Sequence, residues 1–454
     1  MTIASVILAA GLGKRMHSSL PKTLHPLLGK PIVFHALDAV LPLADLPPVL
    51  VTGYGSELVR EEIARAYGEK VAFALQAEQL GTGHAVRSAE EQLRGKADIM
   101  LVTFGDMPML RPETIQRLIQ IRHETNSAVT MTSVIGDLPR GFGRVLRSED
   151  GKVRAIVEEA DATPEQLKIR EYNISAYCFD ADWMWQSLAD LKPSPKGEFY
   201  VTDLVEIAIA QGRGVEAMVL EDAAEGLGIN NRVDLADCER AMRARVNRQW
   251  MLSGVSFLDP DTTTVEMGVT IGQDTVLYPH TYLRGRTTIG ENCAIGPDTT
   301  LLHTSVGDHC MIQYSVAEKA TIGSYVTMGP FCHLRSGAVL KDYVHLGNFG
   351  EVKDSTLGEH TKMGHFSYIG NATIGRDVNI GAGTITCNYD GKLKHPTEIG
   401  DETFIGSDTM LVAPLKIGKR AKTAAGAVVT HDVPDDTLVI GVPARPRERK
   451  DHCE

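Results

Sequence analysis

Aromatic residues are scarce in this chain, 6% of 454 residues, and basic ones are outnumbered: 46 Lys+Arg against 58 Asp+Glu leave a formal net charge of −12. That balance argues against a constitutive nucleic-acid binder, whose phosphate contacts need a basic surface. Also missing is any apolar run near the roughly 20 residues that cross a bilayer, so no membrane insertion is expected. The seven cysteines, from Cys178 to Cys453, contain no CxxC pair, which speaks against a zinc site or a disulfide framework and for reduced thiols in the cytosol. The apolar N-terminal stretch precedes its basic residues, the reverse of an export signal, and a cytoplasmic protein is expected. Glycine, by contrast, is plentiful at 43 residues and points to many tight turns.

The length exceeds what one ordinary core accommodates, and the text changes grammar near residue 250. Up to about Met218, β-branched runs alternate with helical spacing. Ile3–Ala9, Pro48–Thr52, Val71–Gln76, Ile99–Phe104 and Ala128–Val134 read as strands. Pro31–Leu41, Glu57–Tyr67, Thr82–Leu93 and Arg111–Glu124 read as helices. Such alternation predicts a largely parallel, Rossmann-like α/β sheet covered on both faces, with its site beyond the carboxyl ends of the strands. The segment from Asn230 to Met251 contains no Gly or Pro and predicts one connecting helix. The expected domains are therefore residues 1–229, a linker helix 230–251, and residues 252–454.

After Ser253 apolar residues recur every sixth position, as in Ile271, Leu277, Leu283, Ile289, Ile295 and Leu301, many of them followed by glycine. The register resumes through Ile322–Leu346, Leu357–Ile380 and Ile399–Ile417. This hexapeptide pattern predicts a left-handed parallel β-helix, three units to a coil, with the aliphatic side chain inside. Residues 386–398, TCNYDGKLKHPTE, interrupt it with a polar loop, either a tolerated insertion or, as loops of this length favour, a functional one.

The chemistry-bearing residues gather at predicted strand ends. Gly11-Leu12-Gly13-Lys14-Arg15 with Pro21-Lys22 follows the first strand, where backbone N–H groups can close on phosphate and Arg15 and Lys22 supply charge. It is neither a Walker loop, lacking GK[ST], nor a dinucleotide fingerprint, since Met16 stands where the third glycine belongs. By itself it reads equally as a structural turn. Asp106, in Phe104-Gly105-Asp106-Met107-Pro108, stands at another strand end, suited to a divalent cation or to a helix cap. Gln76 to His84 follows a third strand with groups able to read a base edge. In the repeat half, His365, Tyr368, Asn379, Asn388 and Tyr389 crowd one stretch of an otherwise aliphatic prism. His365 is the residue there whose ordinary pKa suits a general base for transfer to an amine.

Taken together, LAAGLGKRM, the downstream PK, LQAEQLGTGHA, GD-x-P, GFGR, IVEEADAT, GEFYVTD and NNR resemble sugar-1-phosphate nucleotidyltransferases. With the hexapeptide half attached, the chain from Ser5 to about Val442 resembles the GlmU family of bifunctional N-acetylglucosamine-1-phosphate uridyltransferases and glucosamine-1-phosphate N-acetyltransferases. The resemblance implies that Leu8, Ala9, Ala10, Gly11, Gln76, Gly81 and Thr82 hold the nucleotide of UTP. Arg15 and Lys22 would act on its triphosphate, and Asp106 and Asn230 would bind Mg2+. Gly143, Glu158, Asn173 and Asn230 would hold N-acetylglucosamine 1-phosphate. In the second half it implies His365 as base and Arg335, Lys353, Tyr368 and Asn379 on glucosamine 1-phosphate. Glu351 would orient the site, and Ala382, Asn388, Tyr389, Ser407 and Ala425 would line the acetyl-CoA groove. It further implies a homotrimer whose product, UDP-N-acetylglucosamine, feeds peptidoglycan and lipopolysaccharide synthesis.

Three departures from the family pattern stand out. Lys14 replaces a threonine of the glycine loop, Asn173 is followed by Ile174-Ser175 in place of Thr-Gly, and Gly441 precedes the tail's Val442-Pro443, with Arg445 the nearest cation behind it. Ile174 adjoins the sugar or packs into the sheet. A nucleotidyltransferase with a merely structural or regulatory β-helix is the alternative reading. A sugar-nucleotide-binding scaffold without activity is a further one, opposed by the presence of Arg15, Lys22 and Asp106.

Overall fold

The computed structural model describes residues 1–53, 55–136, 142–194 and 197–447. Gly141 of the GFGR motif and Cys453 lie outside them. The chain divides into two compact units, Met1–Met242 and Arg243–Glu454.

The first unit is built on one sheet. Its parallel strands are β1 (Ile3–Ala9), β2 (Val49–Thr52), β3 (Ala72–Leu75) and β4 (Ile99–Phe104), with β1 between β2 and β4. Then come β5 (Val129–Ile135), a ribbon of β6 (Arg144–Arg147) and β7 (Val153–Val157), the ten-residue β8 (Glu171–Asp180) and β9 (Val215–Val219). The order across the sheet is β9-β5-β8-β4-β1-β2-β3. β8 runs antiparallel to both β4 and β5, so the sheet is mixed where the spacing predicts parallel strands. Residues between β5 and β9, where periodicity predicts no element, supply the ribbon and two further helices.

Alternation along the strands fills both faces. Val6, Leu8, Met100 and Val102 point to one side, beneath helices α3 (Thr82–Arg87), α4 (Glu90–Leu93), α6 (Ala181–Ser187) and α7 (Asp203–Ala210). Ile7, Ala9, Ile99 and Leu101 point to the other, against α1 (Ile32–Val40), α2 (Ser56–Tyr67) and α5 (Pro112–Thr125). The stretch Thr82–Leu93 breaks at Ala89, whose φ of −96° and ψ of −2° end the regular helix, so one predicted helix is two. Ile174 is 1% exposed and packs with Met107, Val134 and Leu220. It is a packing residue.

The helix α8 runs from Arg232 to Leu252. Asn231 starts it: its Oδ1 accepts from the N–H groups of Val233 and Asp234 at 2.7 and 3.0 Å. Asp234 returns the bond by accepting from Asn230 and Asn231. This reciprocal cap satisfies donors that a helix N-terminus otherwise leaves open.

Among the described residues, the second unit is a left-handed β-helix of three sheets with 12, 10 and 9 strands, parallel except where Arg445–Arg447 folds back antiparallel on Leu438–Ile440. Every aliphatic of the hexapeptide register is buried, from Ile271 at 8% to Leu411 at 0%. Where the six-residue step falters, Ala317 and Val352, both 0% exposed, occupy the interior instead. Each buried Val, Leu, Ile or Met of this register contributes about 1.5–3 kcal/mol by leaving water. Corner glycines follow from the coil spacing: a Cβ on Gly307 would meet Ser324 Oγ at 2.6 Å and the Gly323 carbonyl carbon at 2.8 Å.

Candidate functional site

A cavity of about 450 Å3 opens where β1, β3 and β4 end. It is lined by Leu8, Ala9, Ala10 and Gly11, by Gln76, Gly81 and Thr82, and by Arg15, Lys22 and Asp106. All seven residues expected at the nucleotide, both triphosphate cations and one expected metal ligand therefore share one space. Glu198 and Tyr200 also line it, as do Thr23, Gln79 and Phe104. The sequence offers GEFYVTD as a motif but not its Glu and Tyr as wall residues, because they arrive from 120 positions beyond Gln79 only after folding.

Local bonds hold the walls. Gln76, 3% exposed, places its Nε2 3.0 Å from Gly81 O and 3.1 Å from His84 Nδ1. Thr82 Oγ1 accepts from Val201 N at 3.0 Å. Phe199 N donates to Leu80 O, and Gly83 N donates to Phe199 O, both at 2.8 Å. Gly81 has φ +96°, and a Cβ on it would lie 2.5 Å from Phe199 O.

Charge is arranged around two oxygens. The Lys22 ammonium contacts the Asp106 carboxylate, and Arg15 Nη2 donates to Asn230 Oδ1 at 2.9 Å. Ile229 N donates to Asp106 O at 2.9 Å, which brings the Asn230 loop to the Asp106 loop. A carboxylate and an amide oxygen, both already attracting cationic groups, form a hard oxygen set. This fits Mg2+, which takes few protein oxygens and completes its shell with phosphate and water. Among the described residues no cluster of three or more His, Cys, Asp or Glu suits a metal held by protein alone.

Gly143, Glu158 and Asn173 gather beside this cavity, outside its lining. Asn173, 3% exposed, donates from its backbone N to Gly143 O at 2.9 Å, and Thr202 Oγ1 donates to Glu158 at 3.2 Å. Burial pushes the Glu158 carboxyl upward from its ordinary value. Asp203, next to Thr202, is pushed up to about 6, first by burial and then by Glu206, Glu158 and Asp161.

On the β-helix, the corner between the first sheet (from Ser256–Phe257) and the second (from Thr264–Val265) collects four expected residues. His365 is exposed in the turn between Lys362–Met363 and Ser367–Gly370. Ala382, Ser407 and Ala425 occupy the same corner one coil apart, linked by Gly383 N to Phe366 O, Asp408 N to Ala382 O and Gly426 N to Ser407 O. Asn379 is half-buried on the first sheet, two residues before its glycine corner. Glu351 and Tyr368 are register partners on the second sheet. Arg335 Nη1 donates to Glu351 at 3.0 Å, and Lys353 stands two residues beyond Glu351.

The polar insertion is an ordered hairpin. Asp390 accepts from the N–H groups of Lys392 and Leu393 and from His395 Nε2, each at 2.7 Å, which holds its carboxyl well below the usual range. Tyr389 bridges to Lys394, and Tyr389 Oη donates to Gly391 O at 2.7 Å. Asn388 is buried and donates to Asn371 Oδ1 at 2.7 Å. The hairpin brings Lys394 to Lys353, whose ammonium pKa is lowered chiefly by Lys394 and further by Arg335. Three cations thus crowd one place, and the third, Lys394, is missed by the sequence reading because its position depends on the loop's fold. A wider groove of about 610 Å3 on the third sheet holds none of the expected residues. The tail's Arg445 is exposed, its Nη1 donates to Ala444 O at 3.1 Å, and its backbone pairs with Ile440.

Comparison with known proteins agrees with both halves. Residues 5–160 match the MobA-like NTP transferase domain, 268–303 the bacterial transferase hexapeptide (six repeats) and 396–431 the hexapeptide repeat of succinyl-transferase. The bifunctional protein GlmU of Exiguobacterium sibiricum is 46% identical over 437 residues, 96% of either chain. That of Pelobacter propionicus is 45% identical over 440 residues, 96% of this chain and 95% of its own. The Halalkalibacterium halodurans protein is 44% identical over 451 residues, 99% and 97% of the two lengths. With a nucleotidyltransferase-type cavity in one unit and a hexapeptide prism in the other, this chain belongs to the GlmU family of bifunctional transferases.

Proposed function

We propose that the chain makes UDP-N-acetylglucosamine in two steps, with residues 1–229 as uridyltransferase, 230–251 as linker and 252–454 as acetyltransferase. In the first step the amine of glucosamine 1-phosphate attacks the acetyl-CoA carbonyl. His365 takes the proton the amine must lose, the C–S bond breaks, and CoA leaves as the thiol. Arg335, Lys353 and Lys394 hold the sugar phosphate, and Tyr368 and Asn379 orient the sugar. Ala382, Ser407 and Ala425 line the groove for acetyl-CoA, with Asn388 and Tyr389 at its side, and Glu351 fixes Arg335.

In the second step a phosphate oxygen of N-acetylglucosamine 1-phosphate attacks the α-phosphorus of UTP in line, and the bond to pyrophosphate breaks. Lys22 and Arg15 lie along the cavity wall and stabilise the charge that moves onto the leaving pyrophosphate. Asp106 and Asn230 would hold Mg2+, which when bound would supply further charge neutralisation. Gly143, Glu158 and Asn173 seat the acceptor sugar.

One observation carries the two-step reading: the Arg335–Lys353–Lys394 group stands on the coils flanking that of His365, with Lys353 paired in register with Gly370. A β-helix serving assembly alone has no use for three mutually repelling cations, which oppose one another unless an anion joins them. We also infer a homotrimer and a cytoplasmic location. Among the described residues no helix is long and apolar enough to cross a membrane. Tyr314, Phe331, Phe349 and Phe366, 40–56% exposed, climb the same corner as far as the coil of His365, an apolar edge suited to cover by further copies.

The test is to incubate the protein with Mg2+, UTP and glucosamine 1-phosphate, with and without acetyl-CoA, and weigh the nucleotide sugar. UDP-N-acetylglucosamine formed only with acetyl-CoA is expected. UDP-glucosamine in both tubes would overturn the two-step reading in favour of a single-activity enzyme.

A further inference from the structure

A buried carboxylate that neither chemical step uses, paired with a part-exposed arginine, joins the two loops bearing Asp106 and Asn230. Glu225 is 4% exposed and lies in the 3-10 turn Ala223–Gly226, shortly before Asn230. Its Oε2 accepts from the backbone N of Arg111 at 3.0 Å, and its Oε1 lies 3.7 Å from Arg111 Nε. The Arg111 guanidinium also contacts Asp222, which caps the same turn by accepting from Ala224 N at 3.0 Å. Arg111 stands just before α5, five residues after Asp106.

Glu225 thus ties the chain leaving Asp106 to the chain approaching Asn230. Three more contacts remove slack between them. Ile229 N donates to Asp106 O at 2.9 Å. A Cβ on Gly228 would lie 2.6 Å from Met107 Sδ, so the loops touch there. Asp234 Oδ2 accepts from Asn230 N at 2.8 Å and fixes the far side of that residue.

Burying a carboxylate is costly unless it is paired, and apolar residues of similar volume often hold two loops together as well. What the carboxylate adds is a fixed spacing, since its hydrogen bond to the Arg111 backbone N–H is directional, while the guanidinium 3.7 Å away contributes charge. Mg2+ demands near-octahedral geometry at short distances, so the spacing of its few protein oxygens governs how well it binds. Partners beyond the direct ligands typically change metal affinity by about 10–100-fold.

We propose that Glu225, acting through Arg111, is a positioning residue for the divalent cation: it sets the separation of the Asp106 carboxylate and Asn230 Oδ1 so that one ion spans both. The proposal rests on the reading of Asp106 and Asn230 as the residues that hold Mg2+, and it predicts a defect specific to the metal.

The experiment uses the full chain and Mn2+ as a spectroscopic probe, titrated by electron paramagnetic resonance with UDP-N-acetylglucosamine present. Wild type, Asp106→Asn, Glu225→Gln and Glu225→Ala are compared. Glu225→Ala is expected to weaken Mn2+ by about tenfold. Glu225→Gln, which keeps an acceptor for Arg111 N, should weaken it less, and it carries the test if the alanine variant does not fold. In uridylyl transfer, raising Mg2+ should restore kcat in the Gln variant, a recovery that a merely loosened fold would not show. Acetyl transfer by the same preparation should be unchanged. Mn2+ affinity within twofold of wild type in the Glu225 variants, with Asp106→Asn abolishing it, would overturn the positioning role. Unaltered binding in Asp106→Asn would instead overturn the metal assignment beneath it.

Discussion

Replacing Gly81 by alanine tests the nucleotide cavity at its most constrained point. Gly81 has φ +96° and ψ 178°, a region open to glycine alone. The added Cβ would lie 2.5 Å from Phe199 O and 2.7 Å from Phe199 N. Both atoms are already engaged, with Gly83 N and Leu80 O respectively. Relief therefore requires Phe199 to retreat and both bonds to break, carrying away its neighbours Glu198 and Tyr200, which line the cavity. The backbone conformation costs about 1–3 kcal/mol, and each lost bond adds about 0.5–1.5 kcal/mol. At roughly 1.36 kcal/mol per tenfold, a loss near 3 kcal/mol lowers kcat/KM for UTP by about 100-fold. Pyrophosphate release measures this, and CoA release from glucosamine 1-phosphate in the same preparation should stay at the wild-type rate. A kcat/KM for UTP within threefold of wild type would refute the reasoning, because it would mean the Leu80–Gly83 and Phe199 strap does not shape the site.

Three further outcomes are expected. His365→Ala abolishes CoA release while pyrophosphate release stays within about twofold, given that a positioned base supplies roughly 10²–10⁴-fold. Lys394→Ala raises KM for glucosamine 1-phosphate and returns the lowered Lys353 pKa upward. Since Lys353 loses its charge as pH rises through that pKa, the alkaline fall of kcat/KM for this substrate should move to higher pH in the variant. Asp203 is pushed up to about 6, so the folded chain holds a proton there that the unfolded chain releases near its ordinary value of 3.8. That contribution is present at low pH and lost as pH rises through about 6, so Asp203→Asn should raise Tm at pH 7.5 more than at pH 4, read by calorimetry at both.

The β-helix was legible because its rule is local: one aliphatic per six residues must point inward, and Ile271 to Ile417 obey it residue by residue. The parallel strands β1, β2 and β4 announced themselves as continuous apolar, β-branched runs for the same reason, being buried on both faces. Strand β8 did not, because its antiparallel insertion between β4 and β5 depends on distant partners, not on its own text. In the candidate sites the legible residues sit at strand ends or coil corners, where local pattern fixes position, as with Asp106 and His365. Lys394 and Glu198 were illegible for the opposite reason. Their places follow from the Asp390-centred hairpin and from the Phe199 strap, contacts that no spacing in the sequence encodes.

The stacked corner of His365, Ala382, Ser407 and Ala425 also works as a ruler. Each coil of about eighteen residues advances the corner by roughly 4.8 Å, so three steps separate His365 from Ala425 by about 14 Å. Distance along this edge is quantised: side chains alter its texture, but only the gain or loss of a whole coil alters its length. A prism of this kind can therefore come to span a longer or shorter ligand by counting coils, leaving the three-sheet register and His365 at its zero mark untouched.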